Sequence, residues 1–467
     1  MAGATEKTPQ AGRMGVPPRV ADLVSDGLEA LADTAPELLD LAERELQGRA
    51  ERLNLVAASS PTAPAVLAAQ ALGFSALTAE GYPGRRYHPG TAVVDEVEQL
   101  AVVRAELLFG ASHANVQPLS GSMANLSVLL GLLEPGDPVL AMDLSHGGHL
   151  SHVSRPASLA KHLEPTYYQL GEDGTLDIEH VREKARTSRP KVIICGGSAY
   201  PRTIDFAALR SVADEVGALL VGDISHISGL VAAGAHPSPF PHCDVVTTST
   251  YKQLRGPHGG LVLRGPDSRV AANAIDAFVF PGFQGTPDFG MLAAKAVALG
   301  GALEPGFGEA MGRVVRYARI FAEAFTSRGL SLVGGGTDTH MVLLDLRGQA
   351  VTGRDVSRAL EAAGILANKN LVPNDPRTPQ RTSGLRIGTN HLAFMGIEDP
   401  DVRDLAEGIA QLVLDLEADR RPESSAVWHR LAAQVTALVA ATEREKQPVS
   451  RRTEGKEGIE GIEGVAA

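Results

Sequence analysis

A chain of 467 residues exceeds one ordinary core, and its 44% hydrophobic and 21% charged content is that of a folded globular protein, which excludes overall disorder. The net charge of −12 repels phosphodiester backbones and anionic membrane surfaces, so neither nucleic acid nor membrane is expected as a partner. Cys195 and Cys243 lie in apolar runs and read as buried thiols of a reducing compartment; with no apolar stretch near the roughly 18 residues of a membrane span and no signal-peptide core, a cytoplasmic protein is expected.

Residues 1–17 lack periodicity and are expected to form a disordered arm, followed by a helical segment over 18–55. From 56 to 305 short β-branched runs alternate with longer helical patterns. The runs VLAMDL (139–144), KVIICG (191–196), ALLVGD (218–223), VVTTST (245–250) and GLVLRG (260–265) read as strands, and FAALRSVADEVG (206–217) as one of the helices between them. Such alternation predicts an α/β fold, a mostly parallel sheet with helices on both faces. After a Gly-rich stretch the pattern changes to a long helix (309–327) and the runs LSLVGG, HMVLLDL and GLRIGT, which predicts a smaller α+β domain over 306–442. Residues 443–467, Glu/Gly-rich with the repeat GIEGIEG, are expected to be a disordered tail.

Four segments carry chemistry. In PLSGSMANLSVLLGLL, Ser120, Gly121 and Ser122 open an apolar helix whose free N–H groups and dipole suit a phosphate, although ordinary capping would use the same residues. In DLSHGGHLSH, His146, His149 and His152 stand at three-residue steps. No Cys, Asp or Glu completes a metal set at familiar spacing, so no metal is expected, and His149 is read as stacking on a flat ligand. In ALLVGDISH, Asp223 ends an apolar strand, and in VVTTSTYKQLRGPHGG, Lys252 follows one. Desolvation at a strand end lowers a lysine pKa and favours the neutral amine that attacks a carbonyl. Carboxyl ends of neighbouring strands converge on one crevice, where Asp223 could keep a pyridine nitrogen protonated. The pair, 29 residues apart, points to pyridoxal phosphate (PLP) held by Lys252.

The segments EGYPGRRY (80–87), NVQPLSGSMAN (115–125), SHGGHL (145–150), SAYPRTIDF (198–206), TTSTYKQLRGPHGG (247–260), GGTDTHM (335–341) and NKNLVPND (368–375) resemble those of serine hydroxymethyltransferases, over about residues 35–420. The resemblance implies fold type I of the PLP enzymes, a large domain with a mostly parallel seven-stranded sheet, and a homodimer or a tetramer built from it, with active sites shared between subunits. It also implies the residue roles. Lys252 holds PLP, Asp223 meets the pyridine nitrogen and His149 stacks on the ring. Ser120, Gly121 and Ser122 hold the phosphate with help from the partner's loop around Gly285, and Ser198 and His226 stand near the phenolic oxygen. Arg386 takes the substrate carboxylate, a role suited to its planar fork. Tetrahydrofolate is the implied co-substrate: Glu80 and Tyr87 reach in from the other subunit, Leu144 and Leu150 line its path, and Asn370 bonds the pteridine. Glu80 manages the proton at the one-carbon unit.

Departures from the family pattern are equally specific. Ala58, Ser59 and Ser60 stand for Ser-Glu-Asn, Thr78 and His88 replace tyrosines around Glu80, and Tyr251 replaces the histidine before Lys252. Gln253 replaces a threonine, and His258 the arginine of GPRGG. These changes are expected to surround the amino-acid pocket, with Tyr251 beside the catalytic lysine. The expected substrate pair is therefore serine/glycine or 2-methylserine/alanine. A folate-independent threonine-type aldolase or transaldolase, and a non-catalytic PLP-binding paralogue, are the alternatives; Glu80 and Asn370 weigh against the first and Lys252, Asp223 and Arg386 against the second.

Overall fold

The computed structural model describes residues 15–446. Its centre is a seven-stranded sheet of β1 (His113–Asn115), β2 (Pro138–Met142), β3 (Glu164–Tyr168), β4 (Val192–Cys195), β5 (Leu219–Asp223), β6 (Val245–Ser249) and β7 (Gly260–Arg264). The spatial order is β1-β7-β6-β5-β4-β2-β3. Only β7 is reversed, antiparallel to both of its neighbours. The expected mostly parallel sheet is present, and each strand run read from the sequence is found within a few residues of its expected limits.

Alternate residues of the strands feed two separate cores. Leu140, Ile193, Cys195, Leu220, Val246 and Leu261 face one helical layer, and Val139, Val192, Ile194, Val221, Val245 and Val262 face the other. A sheet covered on both sides needs apolar side chains at every position, which is why these strands read as unbroken apolar runs. Helix Phe206–Val216 between β4 and β5 shows how the crossovers are punctuated. Asp205 caps it by accepting from the Ala208 N–H at 2.9 Å, and Gly217 ends it at φ 72°.

Beyond helix Pro305–Thr326 a four-stranded antiparallel sheet forms from β8 (Ser331–Leu332), β9 (Met341–Asp345), β10 (Asn368–Asn370) and β11 (Gly384–Gly388), in the order β8-β9-β11-β10. Residues Leu53–Asn54 pair in parallel with Ile365–Leu366, tying the N-terminal segment to this region across some three hundred residues of chain. Helix Ala426–Lys446 runs four residues past 442, where the sequence suggests that a tail begins, because Glu-Arg-Glu-Lys continues a helix without penalty. The remainder of the expected tail, and residues 1–14 of the expected arm, lie outside the described residues. Among the described residues no helix is long and apolar enough to cross a membrane.

Candidate active site

β5 and β6 are adjacent and parallel, with Asp223 in register with Thr247, so Asp223 and the turn after Ser249 emerge at the same edge of the sheet. Lys252 lies in that turn, buried, with Nζ donating to Ser249 Oγ at 3.2 Å. The helix Gly121–Leu132 starts beside them, its N-cap Ser120 accepting from the Met123 N–H at 3.1 Å. Together they wall a cavity of about 150 Å³ whose lining includes Ser120, Gly121, Ser122, His149, Ser198 and His226. Every residue assigned to PLP except Gly285 is thus brought to one place.

Asp223 is the most thoroughly held group. Its Oδ2 accepts from His152 Nε2 at 2.8 Å and Asn125 Nδ2 at 2.7 Å, and its Oδ1 from the Ser225 N–H at 2.9 Å. Burial pushes this carboxyl up, but the His152 hydrogen bond and the electrostatic influence of His152 and Lys252 outweigh it and hold it below the usual carboxylate range. Asn125 is itself fixed by Thr247 Oγ1, which donates to its Oδ1 at 2.5 Å. Burial lowers Lys252 to about 8, against the pull of Asp223 and with the help of Arg386. Burial thus shifts this amine toward its neutral, nucleophilic form.

His149 Nδ1 accepts from the Ser151 N–H at 3.2 Å and lies 2.7 Å from Ser151 Oγ, which puts the ring proton of the neutral form on Nε2. Burial, with the neighbouring His152, lowers its pKa to about 4. A neutral, flat ring therefore lines the cavity. His226 stacks on His340 with centroids 5.7 Å apart, and among the described residues His226 Nδ1 has no hydrogen-bond partner.

Arg386 projects from β11 of the smaller sheet. It donates through Nη1 to the Ser198 carbonyl and through Nε and Nη2 to Asn368 Oδ1 at 3.4 and 3.3 Å. Burial lowers this guanidinium to about 10, and no carboxylate pairs with it among the described residues. A buried cation without a counter-ion is costly, and an incoming carboxylate removes the cost.

Other expected site residues stand elsewhere. Glu80 lies 3.6 Å from His88 and beside Gly285, whose added Cβ would be 3.2 Å from Glu80 Oε1. Tyr87 is 74% exposed and meets Phe280 edge-on. None of these four lines the Lys252 cavity of the same chain. Leu150 is exposed, Leu144 starts a short 3-10 turn, and Asn370 ends β10 with Nδ2 donating to the Leu371 carbonyl at 2.6 Å.

One expectation about the departures is corrected. Tyr251 and His258 do line the cavity, but Gln253 does not: it is fully buried on the far side of the turn, its Oε1 accepting from the Gly229 and Leu230 N–H groups. It secures the start of a short helix and leaves the amino-acid pocket untouched. The sequence reading also passed over His152, Asn125, Ser225, Thr247 and His340 as site residues. Only His152 carried a signal, its spacing from His149; the others read as ordinary strand and turn residues.

The fit to PLP rests on the arrangement itself. A helix N-terminus for phosphate, a carboxylate held ionised, a flat neutral imidazole and a desolvated lysine surround one cavity. Comparison with known proteins agrees. The family model described as serine hydroxymethyltransferase matches residues 31–409. A serine hydroxymethyltransferase of Synechococcus sp. (strain JA-3-3Ab) is 46% identical over 416 residues, covering 85% of this chain and 95% of that protein. One of Prochlorococcus marinus (strain MIT 9313) is 50% identical over 387 residues, covering 82% and 90%. With its α/β architecture and the Lys252–Asp223 cavity, this chain belongs to the serine hydroxymethyltransferase family, of PLP fold type I.

Proposed function

We propose that this chain is a PLP-dependent hydroxymethyltransferase that moves a one-carbon unit between a serine-type amino acid and tetrahydrofolate. The observation that carries the reading is the convergence of Lys252, Asp223 and the Ser120 helix start on one cavity, with the unpaired Arg386 guanidinium buried nearby. When bound, PLP supplies an electron-withdrawing ring that accepts negative charge from the amino acid Cα.

The chain's own residues do the rest. Ser120, Gly121 and Ser122 bind the phosphate, Asp223 keeps the pyridine nitrogen protonated, and His149 holds the ring plane. Ser198 and His226 border the phenolic oxygen, while Arg386 fixes the substrate carboxylate and thereby the orientation of the bonds at Cα. Lys252 would anchor the cofactor, burial shifting its amine toward the neutral form that attacks a carbonyl. In the transfer, the Cα–Cβ bond of serine breaks. The β-carbon becomes bonded to tetrahydrofolate, its oxygen leaves as water, and a proton takes its place on Cα to give glycine. Glu80 handles the proton at the one-carbon unit, and Tyr87, Leu144, Leu150 and Asn370 border the folate.

A homodimer, or a tetramer built from it, accounts for the separation of Glu80, Tyr87 and Gly285 from the Lys252 cavity: each chain lends them to its partner's site. Exposed Leu23, Leu28, Leu38, Leu41 and Leu46 on the two N-terminal helices support association. A large domain over 56–305 and a smaller one over 306–442 follow the change of sheet. The cytoplasm is the proposed compartment, supported by the neighbouring thiols Cys195 and Cys243, which are buried and unjoined. The test is turnover of serine by the PLP-loaded protein with and without tetrahydrofolate. Formation of glycine that depends on folate is expected; equal cleavage without it would replace the reading by a folate-independent aldolase.

A further inference from the structure

Two distant segments, SAYPRTIDF (198–206) and GGTDTHM (335–341), meet in the fold. The first follows β4 of the seven-stranded sheet, and the second leads into β9 of the four-stranded one. Arg202 bridges them with its whole fork. Its Nε and Nη2 donate to the Gly334 carbonyl at 2.8 and 2.6 Å, and its Nη1 donates to Asp338 Oδ1 at 3.0 Å. Asp338 bonds back: its Oδ2 accepts from the Thr203 N–H at 3.2 Å, and its own N–H donates to the Pro201 carbonyl at 2.9 Å. The same carbonyl accepts from Thr337 Oγ1 at 3.2 Å and Thr339 Oγ1 at 3.3 Å. A planar guanidinium spread over two acceptors fixes orientation as well as distance.

This seam closes a circuit that contains Arg386. β9 pairs with β11, Leu343 standing in register with Arg386, and Arg386 Nη1 donates to the Ser198 carbonyl, three residues before Pro201. The short run Ser198–Pro201 is thus held at one end by the guanidinium and at the other by the approach to the neighbouring strand. On its other side Arg386 faces the turn after β6, where the Tyr251 and His258 rings stack with centroids 4.2 Å apart. Burial pushes the Tyr251 phenol up while the charge of Arg386 opposes it. Ser198, Tyr251 and Lys252 all line the cavity from the seven-stranded sheet, whereas Arg386 arrives from the four-stranded one. Its reach toward the cavity is therefore set by how the two sheets meet.

We propose that the Arg202–Asp338 clasp positions Arg386 for the substrate carboxylate, so that breaking it weakens recognition of the carboxylate and spares the cofactor and the substrate amine. This rests on the hydroxymethyltransferase reading, in which Arg386 takes the carboxylate. Arg202 and Asp338 are positioning residues: neither lines the cavity, and each acts on it through the backbone of Ser198–Pro201 and through β9. Their side chains are 29% and 35% exposed, so the clasp can be removed without opening a hole in the core.

The experiment titrates the PLP-loaded protein with glycine and with methylamine, which has the amine but no carboxylate, following the cofactor absorbance. KM and kcat for serine with tetrahydrofolate are measured beside it. Arg202→Ala and Asp338→Ala are expected to weaken glycine by about 10–100-fold, the scale of an ångström-sized misplacement. The serine KM should rise by a similar factor and kcat change less, with methylamine affinity and PLP content as in wild type. Arg202→Lys, which keeps the charge beside Asp338 but loses the fork, should fall between. Asp338→Asn, which keeps an acceptor for the Thr203 N–H, carries the test if the alanine variants do not fold, and a smaller loss of glycine affinity is expected there. Unchanged glycine affinity in the folded clasp variants overturns the proposal. Equal loss for glycine and methylamine overturns it too, since the clasp would then serve the whole fold. Arg386→Lys separates the underlying assignment: glycine affinity that falls there but not in the clasp variants overturns the clasp alone, and glycine affinity indifferent to Arg386→Lys overturns the carboxylate assignment itself.

Discussion

Asp223 and Lys252 illustrate how individual side chains are tuned by what surrounds them. Removing His152 leaves Asp223 Oδ2 with one donor in place of two, inside a buried site. His152→Ala is therefore expected to cost about 1–3 kcal/mol in stability and to lower kcat about tenfold or more, through a weaker hold on the carboxylate proposed to face the pyridine nitrogen. Chemical denaturation and steady-state assays check the two effects, and retained PLP binding separates them from collapse of the site. Lys252 gives a pH prediction. Its folded pKa, about 8, is below the ordinary lysine value of 10.5, so over that window the unfolded chain binds more protons than the folded one. The Lys252 contribution to stability of the cofactor-free protein must then rise as pH increases through the window. A denaturation series compared with Lys252→Met should show a steeper rise in wild type, Lys295 contributing a rise to both proteins, and PLP uptake by the cofactor-free wild type should increase over the same window.

At the scale of elements, the cavity depends on how the start of helix Gly121–Leu132 is pinned to β7. Lys295 is fully buried and donates to the carbonyls of Val116, Pro118 and Gly260 at 2.6, 2.8 and 3.0 Å, while the Gly260 N–H donates to Pro118 at 2.8 Å. One ammonium thereby joins the segment after β1, the approach to Ser120 and the first residue of β7. Burial lowers it to about 7. Lys295→Met leaves buried carbonyls without this donor and is expected to destabilise the fold by about 1–3 kcal/mol, read as a lower denaturation midpoint. Gly260 has no room for a side chain: an added Cβ would lie 2.3 Å from the Ser120 carbonyl oxygen. Gly260→Ala should displace the helix start and weaken binding of PLP more than that of pyridoxal, which lacks the phosphate. Equal loss for both ligands would show that the contact serves the fold and not the phosphate.

For the whole molecule, the informative fact is that one chain carries two separated groups of expected site residues. Lys252 and Asp223 line one cavity, with Arg386 bonded to its Ser198, and Glu80 and Gly285 lie together elsewhere. If each is completed by a second chain, inactive Glu80→Gln and inactive Lys252→Ala proteins should complement after subunit exchange, because one of the two sites in a mixed dimer receives both intact residues. Activity approaching a quarter of wild type is expected for random mixing and half-site recovery, as an order-of-magnitude figure. No recovery after exchange verified by mass would place Glu80 and Lys252 in a site within one chain.

The alternation of apolar runs with helical spacing determined the α/β class, because strands buried on both faces and amphipathic helices leave different local patterns. Lys252, Asp223 and the Ser120 turn were legible for a similar reason: each follows or opens a regular element, where the chain itself sets burial and exposed N–H groups. The network behind Asp223 was not legible. His152, Asn125 and Thr247 come from three distant segments, and nothing local distinguishes them from other polar residues. The pairing of Leu53–Asn54 with Ile365–Leu366, the separation of Glu80 from Lys252, and the removal of Gln253 from the pocket are likewise long-range outcomes. Tyr251 and His258 could each be seen as unusual in the sequence, but only the fold of the turn between them made the two rings one surface, since stacking depends on distance and plane angle that seven intervening bonds of sequence spacing leave undetermined.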